Sequence, residues 1–176
     1  MSTDDDPACA AARGEEPPER DGRRPLTVIF ASPVADHIIR IAAMVGYWPT
    51  LLEPDDDRLT DRMISPLFRE VSRMDEANID GTADVVITDH DRPELGAVLR
   101  DALTYQPRWI GVMGSVRHVA PHLSALRELG VAEEQIARVH RPIGLNIGSR
   151  TPAEIALATV AGLLADRNQR PGGFAF

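Results

Sequence analysis

Lysine is absent from this 176-residue chain, and all 19 of its basic side chains are arginine. That absence removes a phosphate-loop lysine, a Schiff-base lysine and lysine acid–base chemistry from the functions open to it. Cysteine occurs once, at Cys9, so the chain forms no internal disulfide and supplies no thiolate metal cluster of its own. A reducing cytoplasm is the expected setting. No apolar run approaches the roughly 18–20 residues of a membrane helix, and the opening "MSTDDDP" is acidic where a secretion signal is basic. Neither a membrane anchor nor a targeting segment is expected. Bases are also outnumbered by 27 acids, giving a net charge of −8, which argues against a nucleic-acid surface because phosphate backbones need clustered cations.

What is present is a core of ordinary size, with 43% hydrophobic residues in a length that suits one domain. Residues 1–24 are rich in acid, proline and glycine without an apolar period, and read as a disordered acidic leader. Residues 25–168 carry the domain, and residues 169–176 a loose tail. Within the domain, short β-branched runs alternate with helical patterns, the signature of βα units. Strands are expected at "LTVIFA" (Leu26 to Ala31), "YWPTLLE" (Tyr47 to Glu53), "DVVIT" (Asp84 to Thr88) and "WIGVM" (Trp109 to Met113). Pro49 suggests that part of the second strand lies at an edge or bulge. Helices are expected from Ser32 to Gly46, around Ser65 to Ser72 with a short edge strand nearby, from Pro93 to Leu103, from Val116 to Leu129, and from Thr151 to about Asp166 behind a "TPAE" capping box. The fold class is α/β: a three-layer, doubly wound, mostly parallel, Rossmann-like sheet. Its ligands belong at the carboxyl ends of the strands, where the winding reverses.

Each strand end offers candidate groups. "FASPVA" stands where a dinucleotide fold carries G-x-G-x-x-G/A, so a pyrophosphate would meet Phe30 and Ser32 in place of glycine, although the Ser32 hydroxyl and the helix dipole remain. Glu53 stands about 20 residues on, where an acid takes the ribose hydroxyls of an adenosine, and with Asp55, Asp56 and Asp57 it favours NAD over NADP. "TDHD" places Thr88, Asp89 and His90 near the switch point, Asp89 and His90 as a hydrogen-bonded pair able to move a proton, while Asp91 suits a helix cap. In "GVMGSVRH", Gly114 permits close backbone approach, Ser115 reads as standing at a helix N-terminus, and Arg117 in its first turn calls for a neutralising anion. His118 and His122 are four apart, but no third ligand of suitable spacing accompanies them, so no metal site is expected. The run "HRPIGLNIGSRTPAEIA" is long enough to cross the sheet edge. Ile143, Leu145 and Ile147 would cover a ligand there, with Gly144 and Gly148 exposing backbone, His140, Asn146 and Arg150 adding polar contacts, and Thr151 opening a helix towards the same crevice.

Taken together, "YQPRWIGVMGSVRH", "LRELG" and "HRPIGLNIGSRTPAEIALATVAGLLA" resemble the Rossmann-type domain of the XdhC/CoxI family, accessory proteins in the maturation of molybdenum hydroxylases. The resemblance runs from about Leu26 to Ala165 and is strongest from Trp109 onward. It implies a protein that binds the molybdenum cofactor, a phosphate-bearing pterin, and helps its sulfuration and insertion into an apo-hydroxylase; a non-catalytic accessory role is the expectation for this chain. The matching positions are Gly114, Ser115 and Arg117, then His140, Gly144, Asn146, Gly148, Thr151 and Glu154, with Thr88 from the "TDHD" pattern. Implied partners are a molybdenum hydroxylase or a separate XdhC-type domain, with a homodimer also open. Two departures stand out: the 24-residue leader replaces the family's N-terminal domain, and the glycine-rich first turn is lost. Two readings from other classes stay open, an NAD-dependent oxidoreductase using Glu53 with His90 or His140, and a pure interaction module.

Overall fold

A computed structural model describes residues 24–59, 68–115, 117 and 120–173 of the chain. Six parallel strands form one sheet: β1 (Arg24–Ile29), β2 (Tyr47–Leu52), β3 (Arg69–Val71), β4 (Asp84–Ile87), β5 (Trp109–Val112) and β6 (Val139–His140). Their order is β3-β2-β1-β4-β5-β6, so the winding reverses between β1 and β4, where Leu26 to Ile29 pair with Asp84 to Ile87. The expected doubly wound sheet is present, and all of its described pairs are parallel. The apolar runs form it because a parallel sheet is covered on both faces.

On one face lie helices α1 (Pro33–Met44) and α5 (Pro152–Arg167), packed against each other and closing a core around Val28, Ile38, Leu51, Val86 and Val160. On the other lie α2 (Leu95–Thr104), α3 (Pro121–Glu128) and the single turn α4 (Glu133–Ile136), closing a core around Ile29, Leu52, Val85, Leu99 and Ile110. Helix α1 starts and stops as its sequence signals: the Ser32 Oγ accepts from the Ala35 amide at 3.1 Å, and Gly46 follows its end at φ +87°. Helix α5 opens with a full capping box between Thr151 and Glu154. Pro49 pairs with Leu26 of β1 and precedes the residues that β3 covers, so among the described residues that flank of β2 is an edge there.

Four expectations need correction. Of the helix around Ser65 to Ser72 and the short edge strand expected nearby, the described residues show the strand, Arg69–Val71 at the edge of the sheet; residues 65–67 lie outside the described residues. Pairing with Thr50 to Leu52 outweighs local propensity here. Helix α2 begins at Leu95 with Glu94, and not Asp91, at its N-cap position; the Asp91 amide donates to Asp89 Oδ1 at 2.9 Å. Helix α3 begins at Pro121, five residues later than Val116, because Ala120 ahead of the proline takes an extended conformation. Strand β6 and helix α4 were not expected at all.

At the amino edge of the sheet, Asp84 is fully buried and accepts from Arg108 Nε at 2.7 Å, Arg167 Nε at 2.8 Å and the Tyr47 hydroxyl at 3.2 Å. Arg108 also pairs with Asp166. These bonds fasten the last turn of α5 to the first residues of β2 and β4. Burial, and then the Asp84 charge, push the Tyr47 phenol up to about 12.

Candidate functional site

The carboxyl edge divides at the switch point into two unlike halves. On the β1–β2 side, Phe30 takes the left-handed conformation (φ 73°) that the first glycine of a dinucleotide turn would supply, and its side chain is fully buried. The neighbouring Ala31 amide donates to Glu53 Oε2 at 2.8 Å. Glu53 itself is buried and receives a two-pronged bond from Arg92, Nη1 to Oε2 at 3.1 Å and Nη2 to Oε1 at 2.9 Å, with the Asp55 amide adding 3.0 Å to Oε1. Arg92 reaches there from the loop after β4, crossing the end of β1 with its guanidinium 4.5 Å from the centre of the Phe30 ring. Its outer edge meets Glu94 at 3.2 Å, and bonding to Glu53 first, then to Glu94, pushes the guanidinium further up. Both oxygens of Glu53 are thus engaged inside the protein, where a ribose would need them free. Four donors from the protein already occupy the Glu53 carboxylate.

At the switch point, the Ser32 hydroxyl caps α1 and donates to Thr88 Oγ1 at 3.2 Å, while Thr88 Oγ1 lies 2.8 Å from the Phe30 carbonyl and 3.1 Å from that of Ile29. The two hydroxyls stitch β1 to β4. Asp89 spends one oxygen on the Asp91 amide, and His90 faces Asp91 at 3.6 Å, with the imidazole half-buried. The described contacts therefore give His90 an Asp91 partner where an Asp89 pair was expected.

Beyond β5 the edge is differently built. Gly114 lies under the guanidinium of Arg141: a Cβ there would come within 2.4 Å of Nε and 2.7 Å of Nη2. Glycine is what allows the cation to rest on bare backbone. The Ser115 Oγ accepts from the Arg117 amide at 3.1 Å, closing a local turn, and Arg117 is exposed. Because α3 begins only at Pro121, Ser115 and Arg117 do not stand at its N-terminus, where the sequence reading puts them. His118 lies outside the described residues. His122, in the first turn of α3, is buried, and burial followed by the Arg141 charge holds its imidazole below the ordinary range.

The long loop takes a path other than the one expected. His140 stacks on Trp109, with ring planes 5° apart and centroids at 5.0 Å. Gly144, at φ +85°, presses on the middle of α5, where a Cβ would lie 3.1 Å from backbone atoms of Ala158 and Thr159, and the Leu145 amide donates to the Ala158 carbonyl at 3.0 Å. The segment packs on the middle of α5, a helix whose buried residues include Ala156, Ala158, Thr159, Val160 and Leu163. Asn146, Ile147 and Gly148 are exposed, and space around Gly148 is open. At the start of α5, the Arg150 and Thr151 amides both donate to Glu154, which is held below the usual carboxylate range by those bonds. That helix end already carries its negative charge.

Sequence reading missed Arg92 and Arg141, the two arginines that shape the edge. The available signal was slight: each directly precedes a proline, and Arg92 follows the exit of an expected strand. Among the described residues no group of His, Cys, Asp and Glu is arranged to hold a metal, and no helix is long and apolar enough to cross a membrane.

Comparison with known proteins places this edge in context. Residues 26–163 match the XdhC Rossmann domain. The chain is 35% identical over 162 residues to the uncharacterized protein YqeB of Escherichia coli (strain K12), covering 86% of this chain and 29% of that protein. It is 31% identical over 85 residues to the molybdenum cofactor insertion chaperone PaoD of the same organism, covering 48% and 27%. The chain therefore spans less than a third of the length of these relatives. A crystal structure described as a xanthine dehydrogenase from Bacillus halodurans shares the fold, with a TM-score of 0.63 at 20% identity over 86% of this chain and 45% of that one. With nearly the whole described sheet inside the matched span, the chain belongs to the XdhC Rossmann domain family.

Proposed function

We propose that this chain serves the maturation of molybdenum hydroxylases as a non-catalytic accessory domain, and that its cargo is the phosphate-bearing molybdenum cofactor. The cargo docks on the β5 side of the carboxyl edge, over Ser115 and Arg117 and beside Arg141, whose guanidinium covers Gly114. One observation carries the placement: Arg92 and Glu53 close the half of the crevice that a dinucleotide would occupy, while the other half presents an arginine laid on glycine backbone. A cation held on bare backbone suits a phosphate, since charge-assisted bonds to ionised oxygens are the stronger class. Membership of the family and the similarity to a cofactor insertion chaperone support the choice of cargo. The same closure disfavours the NAD-dependent oxidoreductase. An apo-hydroxylase and the remainder of an XdhC-type protein are the partners this role requires, in the cytoplasm. The test is anaerobic calorimetry with molybdenum cofactor titrated into the full chain. Saturable binding is expected, weakened about tenfold or more by Arg117→Ala, which corresponds to the 1.5–3 kcal/mol of a bond to a charged group. No saturable binding, with an XdhC-type partner also present, would leave only a docking module.

A further inference from the structure

Strands β2 and β4 flank β1 in the sheet, so a bond between the exit of β2 and the loop after β4 must pass over the carboxyl end of β1. Arg92 and Glu53 make that bond twice, and the guanidinium lies 4.5 Å from the centre of the Phe30 ring. In a doubly wound fold this is where the first turn meets the pyrophosphate of a dinucleotide. The turn keeps one mark of such a site: Phe30, at the first glycine position, holds φ 73°. Its other groups are taken by the protein. The Ala31 amide donates to Glu53, the Ser32 hydroxyl caps α1 and donates to Thr88, and the Phe30 side chain is fully buried where a bare glycine would stand. Arg92 is buried too, and a second carboxylate, Glu94, accepts from its Nε and Nη2, each at 3.2 Å. We propose that Arg92 is a specificity-determining strap, which keeps nucleotides out of the crevice and confines the cargo to the β5 half; the second clause rests on the docking place assigned above.

The strap works by shape as much as by charge. A guanidinium is planar and carries its donors in a fixed fork, so Arg92 spans both oxygens of Glu53 and covers the Phe30 ring at once. A lysine in its place would offer Glu53 a single point charge and leave the ring uncovered. Without Arg92, the Ala31 and Asp55 amides still hold Glu53, one on each oxygen. A carboxylate oxygen has a second lone pair, so the acid so held can accept from ribose hydroxyls. The two roles open to Arg92 thus differ in outcome: a merely structural residue loses stability on substitution, whereas a strap also lets in a ligand.

ADP is the probe, because it joins an adenosine ribose to a pyrophosphate. Its binding is measured by calorimetry on the full native chain and on the Arg92→Ala and Arg92→Lys variants, with thermal melting to confirm that each is folded. Arg92→Lys keeps a positive charge beside Glu53 and carries the test if Arg92→Ala does not fold. No saturable binding is expected for the native chain. The variants should bind ADP at least about tenfold more tightly, the return of one charged acceptor to the ligand, with Arg92→Ala ahead of Arg92→Lys. Adding Glu53→Gln to either variant should remove the gain. Folded variants as blind to ADP as the native chain overturn the strap, as does native binding as tight as theirs or a gain that survives Glu53→Gln. Variants that gain ADP, in a chain that ignores the molybdenum cofactor, keep the strap and lose the cargo; cofactor binding without that gain loses the strap alone.

Discussion

Glu53 and Asp84 are both fully buried carboxylates met by arginines, and they sit at opposite edges of one sheet. Asp84 ties the amino ends of β2 and β4 to the end of α5, with Arg108, Arg167 and Tyr47 converging on it from three elements. Glu53 ties the exit of β2 to the first turn and to the loop after β4, and Arg92 lies across the crevice in doing so. The same device has different consequences. At the amino edge, where this fold places no ligand, the cluster acts on stability; at the carboxyl edge it also decides which half of the crevice a ligand can enter. Removing one partner of a buried pair strands the other charge, so both sites should be sensitive to substitution.

Asp84→Ala is expected to cause the largest loss, about 3–5 kcal/mol in chemical denaturation, because two guanidinium groups and a phenol lose one shared acceptor. A loss below about 1 kcal/mol would place the pair among exposed salt bridges and erase the comparison. Glu53→Ala should cost less, about 3 kcal/mol, since Arg92 keeps Glu94 as a partner at 3.2 Å while the Ala31 amide loses its acceptor. The smallest effect is read by alkaline titration. The fold holds the Tyr47 phenol neutral, so its contribution is complete below pH 10 and is lost as pH rises through about 12. Ultraviolet difference titration, with Tyr47→Phe for assignment, should give that midpoint in the native chain, and Asp84→Asn should bring it down only in part, because burial is the larger cause. A midpoint at the ordinary value of 10.0 would show the phenol solvated and the amino-edge cluster open.

The strands β1, β4 and β5 were legible because a parallel sheet buried on both faces writes continuous apolar runs such as "LTVI" and "DVVI". Strand β6 was not, being two residues long with one side chain exposed. The capping residues Ser32 and Thr151 were legible for the same reason that they form: their partners lie three residues away. The site was read less well, because its polar groups are satisfied over long range. Glu53 and Arg92 are 39 residues apart, and Ser32 and Thr88 are 56 apart, so no local pattern announces that each already has a partner. Polar residues at strand ends look like ligands until their own companions are known. Arg141 escaped for the opposite reason: between His140 and Pro142 it reads as one more loop residue, and only the fold lays it on Gly114.

The two halves of the carboxyl edge are tested together by calorimetric competition, with molybdenum cofactor titrated anaerobically into the full chain in the presence and absence of excess NADH. The closed β1–β2 half and the arginine-lined β5 half predict a cofactor isotherm that NADH leaves unchanged. Displacement of the cofactor by NADH, or tight binding of NADH to the chain itself, would contradict the division on which the account stands.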